Sequence, residues 1–199
     1  MGKRKRLVEQ LKEKGIVNTE VLNAMLHIPR HRFFDDQTSR PALLDHAYSD
    51  KALKIGAGQT ISHPFTVAFQ TEKLNIVKGD KVLEIGTGCG YQTAVLLEMG
   101  AKVFLPSIGY RGAKLIYGDG YKGLPPFAPF NKIIVTAAAP YIPDDLLSQL
   151  TVGGLLIIPL GEGEEQIMNL IVKKSATEFE KHTFGKFKFV PMLQHKSGQ

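Results

Sequence analysis

Residues 81–100 read KVLEIGTGCGYQTAVLLEMG, and this stretch decides the fold. It begins with a short apolar run, passes through glycines at alternate positions, and continues as an apolar segment of helical length that ends at Gly100. A short apolar run bounded by glycine is typical of a buried strand, and the longer segment favours a helix. We therefore predict a strand–loop–helix unit whose glycines allow a sharp turn and bring backbone N–H groups close to a ligand.

Further short apolar runs follow this unit towards the C-terminus. We predict strands in AKVF (101–104), KLIYGDG (114–120), NKIIVTAAA (131–139) and GLLIIPLGEG (154–163), a helix over 143–150, and two edge strands over 166–173 and 183–190. Strands that alternate with helices indicate an α/β fold with a doubly wound, mostly parallel sheet. The last two strands are expected to be antiparallel at one edge of that sheet.

The N-terminal part reads differently. Residues 3–27 predict two helices separated at Gly15, the second with Thr19 as its N-cap, and residues 30–60 read as loop. His63-Pro64 opens another helix that runs to about Leu74. A chain of 199 residues fits one domain, so we expect a single unit over 1–199, with a helical and loop extension over 1–75 and the core over 76–199.

Composition excludes several classes of function. The chain has 43% hydrophobic and 22% charged residues, with neither a membrane-length apolar run nor a signal-peptide pattern, so we expect no membrane association. The single cysteine, Cys89, cannot form an internal disulfide and suits the cytoplasm. The net charge of +6 would be compatible with nucleic-acid binding. However, the basic residues are scattered apart from two short runs, and no RNA-binding signature accompanies them. We expect neither a nucleic-acid partner nor a metal site, and a monomer.

The glycine loop differs from the dinucleotide-binding fingerprint. Gly86, Gly88 and Gly90 have G-x-G-x-G spacing, whereas the fingerprint is G-x-G-x-x-G, and Glu84 precedes the loop. The loop resembles the first motif of class I S-adenosylmethionine-dependent methyltransferases. A glycine-rich turn that binds nothing is the alternative, because short motifs often match by chance.

Four further segments resemble one methyltransferase family. They are IPRHRF (28–33), GAGQTISHP (56–64), GDGYKGLP (118–125) and VTAAAP (135–140). Together they are similar to protein-L-isoaspartate O-methyltransferases, and the resemblance runs from about residue 6 to 192. Lys54 stands where this family usually has proline, and Gln70 where methionine is common.

The resemblance implies a Rossmann-like methyltransferase fold and a repair activity. Such enzymes transfer a methyl group from S-adenosyl-L-methionine to the carboxylate of L-isoaspartyl residues in damaged proteins and peptides, and release S-adenosyl-L-homocysteine. The methyl ester then collapses to a succinimide, part of which reopens as normal aspartate. Because the acceptor carboxylate is already ionised at neutral pH, catalysis should depend on alignment and exclusion of water more than on acid–base groups.

The resemblance also implies a substrate site. Ser62 matches the active-site serine, whose hydroxyl would hydrogen-bond the substrate carboxylate and aim it; read locally, Ser62 could instead be a helix N-cap. Thr60 and Ile61 are expected to line the same pocket. Ala137 and Ala138 would leave space for the substrate, or else simply form a tight turn after a strand.

The expected cofactor site adds six residues to this one. The three loop glycines, Gly86, Gly88 and Gly90, permit close approach of the cofactor, and Glu84 either orders their loop or contacts the cofactor's amino group. Asp119 is expected to contact the adenine amino group, with the Gly120 N–H nearby. Between two glycines, Asp119 could equally be an ordinary turn residue.

One connection is too short for this fold. Residues 105–113 number nine between the second and third strands of the sheet, whereas a parallel crossover takes about a dozen or more. The acid that usually holds ribose hydroxyls after the second strand is also missing, since Phe104 is followed by Leu105. Either the protein has lost this helix, which suggests an inactive relative, or residues are missing between Phe104 and Leu105. We favour the second, which predicts that these two residues are not adjacent in the structure.

Two other functions stay open at this point. The chain could methylate another class of substrate, such as a small acid or RNA, although the GQTIS stretch argues against this. It could also be a non-catalytic homologue that serves as a binding module, and the missing acid is the best support for that. A nicotinamide oxidoreductase is opposed by the glycine spacing.

Overall fold

The structure is a computed structural model that describes residues 2–33, 46–56, 59–105, 114–115 and 118–192. Its helices are α1 (Lys3–Glu13), α2 (Thr19–His27), α3 (Pro64–Lys73), α4 (Tyr91–Glu98) and α5 (Asp144–Ser148), with 3₁₀ turns at Arg30–Phe33 and Pro125–Phe127. Its strands are β1 (Leu53–Gly56), β2 (Gln59–Ile61), β3 (Lys81–Ile85), β4 (Lys102–Leu105), β5 (Lys114–Leu115), β6 (Phe130–Val135), β7 (Leu150–Leu160), β8 (Gln166–Lys173) and β9 (Phe179–Phe187).

The described strands β3 to β9 form one twisted α/β sheet in the order β5-β4-β3-β6-β7-β8-β9. The strands from β5 to β7 are parallel, and β8 and β9 are antiparallel to their neighbours, which confirms the predicted fold and its antiparallel edge. The strand order reverses between β3 and β6. In such sheets, ligands bind in the crevice at the carboxyl ends of the strands beside that reversal.

The two faces of β3 pack against different layers. Leu83 and Ile85 lie in a buried cluster with Leu146 of α5, while Val82 lies in a cluster with Leu74 and Leu96, beside α3 and α4. This alternation follows from the two-residue period of a strand. It turns the side chain of the intervening acid, Glu84, towards α4.

The N-terminal helices are packed onto the core rather than standing apart. Leu11 of α1 and Val21 of α2 belong to one buried cluster with Ile61 of β2 and Tyr91 of α4. Sequence analysis placed both helices correctly, but the predicted N-cap of α2 is wrong. Asn18 is the cap, and its side-chain oxygen accepts the N–H groups of Glu20 and Val21 at 2.9 and 3.1 Å.

A β-hairpin interrupts the region predicted as loop. Strands β1 and β2 pair in antiparallel register, with Leu53 opposite Ile61 and Lys54 opposite Thr60. The strands have four and three residues, and their register shifts between Lys54 and Gly56. Strands this short contain too few residues to show an apolar–polar alternation in the sequence. The glycines in this region favoured the prediction of a loop.

Helix α3 begins where His63-Pro64 predicted. Its N-cap is His63, whose side chain makes no capping hydrogen bond, and the Phe65 N–H donates instead to Asp50 Oδ1 at 2.8 Å. Ser62 is therefore not the cap. The Asp50 carboxylate caps the helix instead, and the Ser62 hydroxyl makes no hydrogen bond to the described residues.

Phe104 and Leu105 are consecutive residues of β4, so the expected break between them is wrong. They pair in parallel with Lys114 and Leu115 of β5. Strand β5 has only two residues, and its first residue, Lys114, lies opposite Phe104, so the end of β4 and the start of β5 are neighbours in the sheet. Eight residues, 106–113, can span that separation, since an extended chain reaches about 3.3 Å per residue.

The other differences lie at element ends. The helix predicted over 143–150 is limited to the five residues of α5, and β7 begins at once with Leu150. Strand β9 starts four residues before the predicted 183 and is mostly exposed, with charged side chains along the edge of the described sheet. None of the described helices is long and apolar enough to cross a membrane.

Candidate functional site

The glycine loop is fastened to the segment after β6. The Ile85 carbonyl accepts the Thr136 N–H at 2.8 Å, and the Thr136 hydroxyl lies 3.0 Å from that carbonyl and 2.5 Å from the carbonyl of Gly86. These bonds join the carboxyl ends of β3 and β6, where the strand order reverses. A ligand crevice is expected at this point of the sheet.

All three glycines of the loop have a positive φ, which favours glycine over other residues. Gly86 has φ +90°, and a Cβ there would lie 2.8 Å from Thr136 Oγ1, so a side chain would clash. Gly90 is the N-cap of α4 with φ +81°. Gly88 has φ +51°, and among the described residues only the Gly86 carbonyl comes within 4 Å of its missing Cβ, at 3.9 Å. The space beside the Gly88 backbone is therefore free of other described residues.

Glu84 lies behind the loop, fully buried. Its Oε2 accepts the Thr93 hydroxyl at 2.7 Å, which fastens β3 to α4. Burial raises the pKa of the Glu84 carboxyl to about 8, against the weaker opposing effect of the Thr93 bond, so the group is a neutral acid at pH 7. Of its two expected roles, this geometry agrees with ordering the loop.

The Gly118–Gly120 segment packs against the end of β3. A Cβ at Gly120 would lie 2.7 Å from Ile85 Cγ2, so the segment touches the strand that leads into the glycine loop. Asp119 is half-buried, and its Oδ1 accepts the Tyr121 N–H at 2.9 Å. The turn role of Asp119 is thus present, and its second oxygen receives no hydrogen bond from the described residues.

Ala137 and Ala138 are buried rather than open to a substrate. The Ala138 N–H donates to the Val190 carbonyl at 2.8 Å, and the Ala138 carbonyl accepts the Met192 N–H at 2.7 Å. These bonds place a C-terminal segment against both alanines. The geometry favours the tight turn, and what the two residues contribute is close packing beside Gly86.

Ser62 lies at the N-terminal end of α3, half-buried. The preceding residue, Ile61, packs into the N-terminal cluster together with Cys89 and Tyr91, which bracket the end of the glycine loop. No hydrogen bond engages the Ser62 hydroxyl among the described residues. Thr60 is half-buried and faces away from Ile61, as strand alternation requires.

Cys89 does not resemble a nucleophile. Burial raises the pKa of its thiol, so the thiolate is disfavoured, and the side chain lies partly buried against the N-terminal cluster. Cys89 therefore acts as a small filling residue beside the last glycine of the loop.

Sequence reasoning did not single out three residues that build this site. Arg30, Asp50 and Thr136 each join two segments around the glycine loop. The signals available were weak: Arg30 follows a proline after a helix, and Thr136 follows a buried strand. The local sequence around Arg30 or Thr136 does not indicate that the side chain bridges distant parts of the chain.

The site fits S-adenosyl-L-methionine on one side only. The glycine loop, the open backbone at Gly88 and the second oxygen of Asp119 can receive a polar ligand. On the ribose side, residues 99–118 contain neither Asp nor Glu, although an acid near the end of the second strand normally holds the ribose hydroxyls.

Comparison with known proteins identifies the family. The model of the protein-L-isoaspartate(D-aspartate) O-methyltransferase family matches residues 2–110 and 101–197. A protein-L-isoaspartate O-methyltransferase of Christiangramia forsetii is 54% identical over 211 residues, covering 98% of this chain and 96% of that protein. One from Flavobacterium psychrophilum has the same identity and the same coverage.

Solved structures agree on the fold. A protein-L-isoaspartate O-methyltransferase structure has a TM-score of 0.81 at 27% identity, over 94% of this chain and 65% of that longer chain. A Plasmodium falciparum structure, of a putative member of the same family in complex with S-adenosyl-L-homocysteine, has a TM-score of 0.82 at 24% identity. It covers 98% of this chain and all of the other, and at this identity it supports the fold alone.

One of these relatives is longer than this chain. The alignment to the Christiangramia forsetii protein is 12 residues longer than this 199-residue chain, so this chain lacks at least 12 residues of that relative. The two stretches matched by the family model meet at residues 101–110, where β4 ends. Apart from this gap the match extends over nearly the whole chain, and the protein therefore belongs to the protein-L-isoaspartate(D-aspartate) O-methyltransferase family.

Proposed function

We propose that this protein transfers a methyl group from S-adenosyl-L-methionine to the carboxylate of L-isoaspartyl residues in damaged proteins, which starts their repair through a succinimide. Membership of the family, at 54% identity to a curated relative across nearly the full chain, is the observation that carries this proposal. The Ser62 hydroxyl supports it, because the residue is half-buried and its hydroxyl makes no hydrogen bond among the described residues.

The residues of this chain have three tasks in that reaction. When bound, S-adenosyl-L-methionine supplies an activated methyl group and leaves as S-adenosyl-L-homocysteine. The glycine loop and Asp119 would hold it, and Ser62 would donate a hydrogen bond to the substrate carboxylate. That carboxylate is ionised at neutral pH, so no side chain needs to remove a proton. Alignment and exclusion of water are the chemistry left to the protein.

A methyl-transfer assay tests the proposal directly. Labelled S-adenosyl-L-methionine is incubated with the protein and a peptide containing L-isoaspartate, or with the matched aspartyl peptide. Base-labile label on the first peptide alone is the expected result. Cofactor binding without transfer to that peptide would indicate a methyltransferase of another substrate class. Neither binding nor transfer would indicate a non-catalytic homologue, which the short β4–β5 connection favours as the second candidate.

Replacing Ser62 tests its role within that reaction. We expect Ser62→Ala to lower kcat/KM for the isoaspartyl peptide by about 10- to 100-fold, because a hydrogen bond to a charged group contributes roughly 1.5–3 kcal/mol. The unfolding midpoint should not change, since the hydroxyl has no partner among the described residues. Ser62→Thr, which keeps the hydroxyl, serves as the control. Equal activity of Ser62→Ala and the original protein would remove the serine from the mechanism.

The remaining expectations complete the proposal. We infer a cytoplasmic monomer that recognises damaged polypeptides and does not bind nucleic acid. Scattered basic residues and a single half-buried cysteine support this. Sedimentation equilibrium should give a mass near 21.9 kDa, and a mass twice as large would contradict the monomer.

A further inference from the structure

We propose that Arg30 is a positioning residue that fixes the segment carrying Ser62 relative to the glycine loop. The inference rests on the proposed function, and it assigns a role to a residue that lies outside both the Ser62 segment and the glycine loop. Arg30 opens the 3₁₀ turn after α2, and its side chain is fully buried. It contacts both halves of the candidate site.

The first contact is on the cofactor side. The Arg30 guanidinium carbon lies 4.8 Å from the centre of the Tyr91 ring, within the range of a cation–π interaction. Tyr91 is the first residue of α4 and directly follows Gly90, the last glycine of the loop. The phenol is itself nearly fully buried, and its ring also packs edge-on against Phe33 at 5.3 Å. The start of α4, and with it the end of the loop, is therefore held by the guanidinium.

The second contact is on the substrate side. Arg30 Nη2 donates to the Lys51 carbonyl at 3.3 Å, two residues before β1 begins. The β1–β2 hairpin then leads through Ile61 to Ser62. The neighbouring carboxylate, Asp50, interacts electrostatically with Arg30 and accepts the Phe65 N–H in the first turn of α3. The segment on either side of Ser62 is thus anchored near the same guanidinium.

Only arginine can make both contacts at once. Burial lowers the pKa of the Arg30 guanidinium, while Tyr91, Cys89 and Asp50 act in the opposite direction, and such a group stays charged at neutral pH. A guanidinium can lie over an aromatic ring and at the same time donate a hydrogen bond from its edge, as Arg30 does to the Lys51 carbonyl. A lysine ammonium is a point charge on a flexible stem and cannot do both.

The consequence for catalysis is specific. Each half of the site keeps its own residues without Arg30, so each ligand still binds, but the two halves are no longer held at a fixed separation. Methyl transfer needs the reacting atoms in line, and a misplacement of about 1 Å can cost about 100-fold in rate. Loss of Arg30 should therefore lower kcat more than it weakens either binding step.

The test compares Arg30→Lys with Leu11→Ala, a buried substitution in the same N-terminal cluster that serves as a stability control. We expect kcat of Arg30→Lys to fall by about 10- to 100-fold, with KM for the isoaspartyl peptide and Kd for S-adenosyl-L-homocysteine changed less than about 3-fold. Leu11→Ala should lower the unfolding midpoint and keep kcat. Equal kcat in the two variants, or losses in kcat and Kd of the same size, would overturn the proposal.

Hydrogen exchange decides the same point without any activity. The Phe65 N–H bonds to Asp50, and the Ala94 N–H bonds to the Gly90 carbonyl at 2.9 Å in the first turn of α4. Both amides should exchange faster in Arg30→Lys than in Leu11→Ala, once the two are compared at equal global stability. Unchanged exchange at both sites would overturn the link. Because this readout needs no methyl transfer, failure of the proposed function leaves it intact.

Discussion

Glu84 shows how a single buried carboxyl can organise a loop. It is enclosed by the sheet and α4, it accepts one hydroxyl from Thr93, and burial holds its pKa near 8. A neutral acid costs far less to bury than a carboxylate. The residue therefore joins β3 to α4 directly beneath the three glycines without leaving an unpaired charge in the interior.

The raised pKa of Glu84 predicts a pH-dependent stability. Above the unfolded-state pKa near 4.5 the unfolded chain loses this proton while the folded protein keeps it up to about pH 8. Stability should therefore fall as pH rises from about 5 to 8 and level off beyond. Glu84→Gln, which is neutral and still accepts the Thr93 hydroxyl, should flatten this slope.

Urea denaturation of the original protein and of Glu84→Gln at pH 5, 6.5 and 8 gives the unfolding free energy of each. The difference between the two free energies should change with pH. The two should be similar at pH 5, and the variant should be the more stable at pH 8. A difference that does not change with pH would show that Glu84 titrates normally in the folded protein.

At this scale the sequence identified the glycines of the loop but not the contacts that other residues make. Glycine at 86, 88 and 90 could be identified because positive φ leaves few alternatives. Ala137 and Ala138 could not be assigned, because burial by residues 190–192 depends on a segment more than fifty positions away. Arg30 escaped notice for the same reason, since burial of a charge leaves no local pattern.

Among the elements, α5 has an unusual end. Lys173 of β8 is buried, and its ammonium donates to the carbonyls of Leu147 and Leu150 at 2.9 and 3.0 Å. The Leu147 carbonyl lies in the last turn of α5, where unsatisfied acceptors and the helix dipole favour a cation, and the Leu150 carbonyl belongs to the first residue of β7. A helix of five residues is thus closed by a lysine from a distant strand.

We predict that Lys173→Met destabilises the protein by about 2–3 kcal/mol, because it leaves buried carbonyls without a donor. Lys181→Met on β9, where the side chain is exposed, is the matched control and should change stability by less than about 0.5 kcal/mol. Urea midpoints of the two variants measure the difference. Equal midpoints would mean that solvent replaces the lysine at the helix end.

The β4–β5 connection predicts weak cofactor binding. No acid is present in residues 99–118, so a charge-assisted hydrogen bond to the ribose is lost, which corresponds to roughly 10- to 100-fold in Kd. Replacing this stretch by the longer corresponding segment of the Christiangramia forsetii protein should tighten S-adenosyl-L-homocysteine binding by that factor. Calorimetric titration of both proteins provides the comparison. Equal affinities would show that the connection does not contribute to the cofactor site.

Element order was largely readable from the sequence, and element ends were not. The alternation of apolar runs and glycines predicted the central strands from β3 to β8, and the clearest of them, β3 and β6, are largely buried on both faces. The β1–β2 hairpin was missed because strands of three and four residues carry too little pattern. The capping of α3 by Asp50 could not be predicted, since the carboxylate lies fifteen positions from the N–H that it accepts.

The whole molecule should unfold as one cooperative unit. The N-terminal cluster contains residues of α1 and α2 together with Tyr91, Ala94 and Val95 of α4, so the extension and the sheet share buried surface. We predict that Leu11→Ala and Leu83→Ala each destabilise one common transition by about 2–5 kcal/mol. Far-UV circular dichroism and amide exchange should give the same free energy. Earlier exchange of the whole of α1 would instead indicate separate units.

Strand β9 has a consequence for how the protein behaves in a crowded solution. It borders the described sheet with outward-facing ionised groups, among them Glu180, Lys181 and Lys186, and Glu180 pairs with Lys174 at 2.6 Å. A bare strand border can template cross-β growth, and ionised side chains oppose that docking because they would lose their hydration. The charged edge strand therefore opposes aggregation of this repair enzyme with the damaged polypeptides around it.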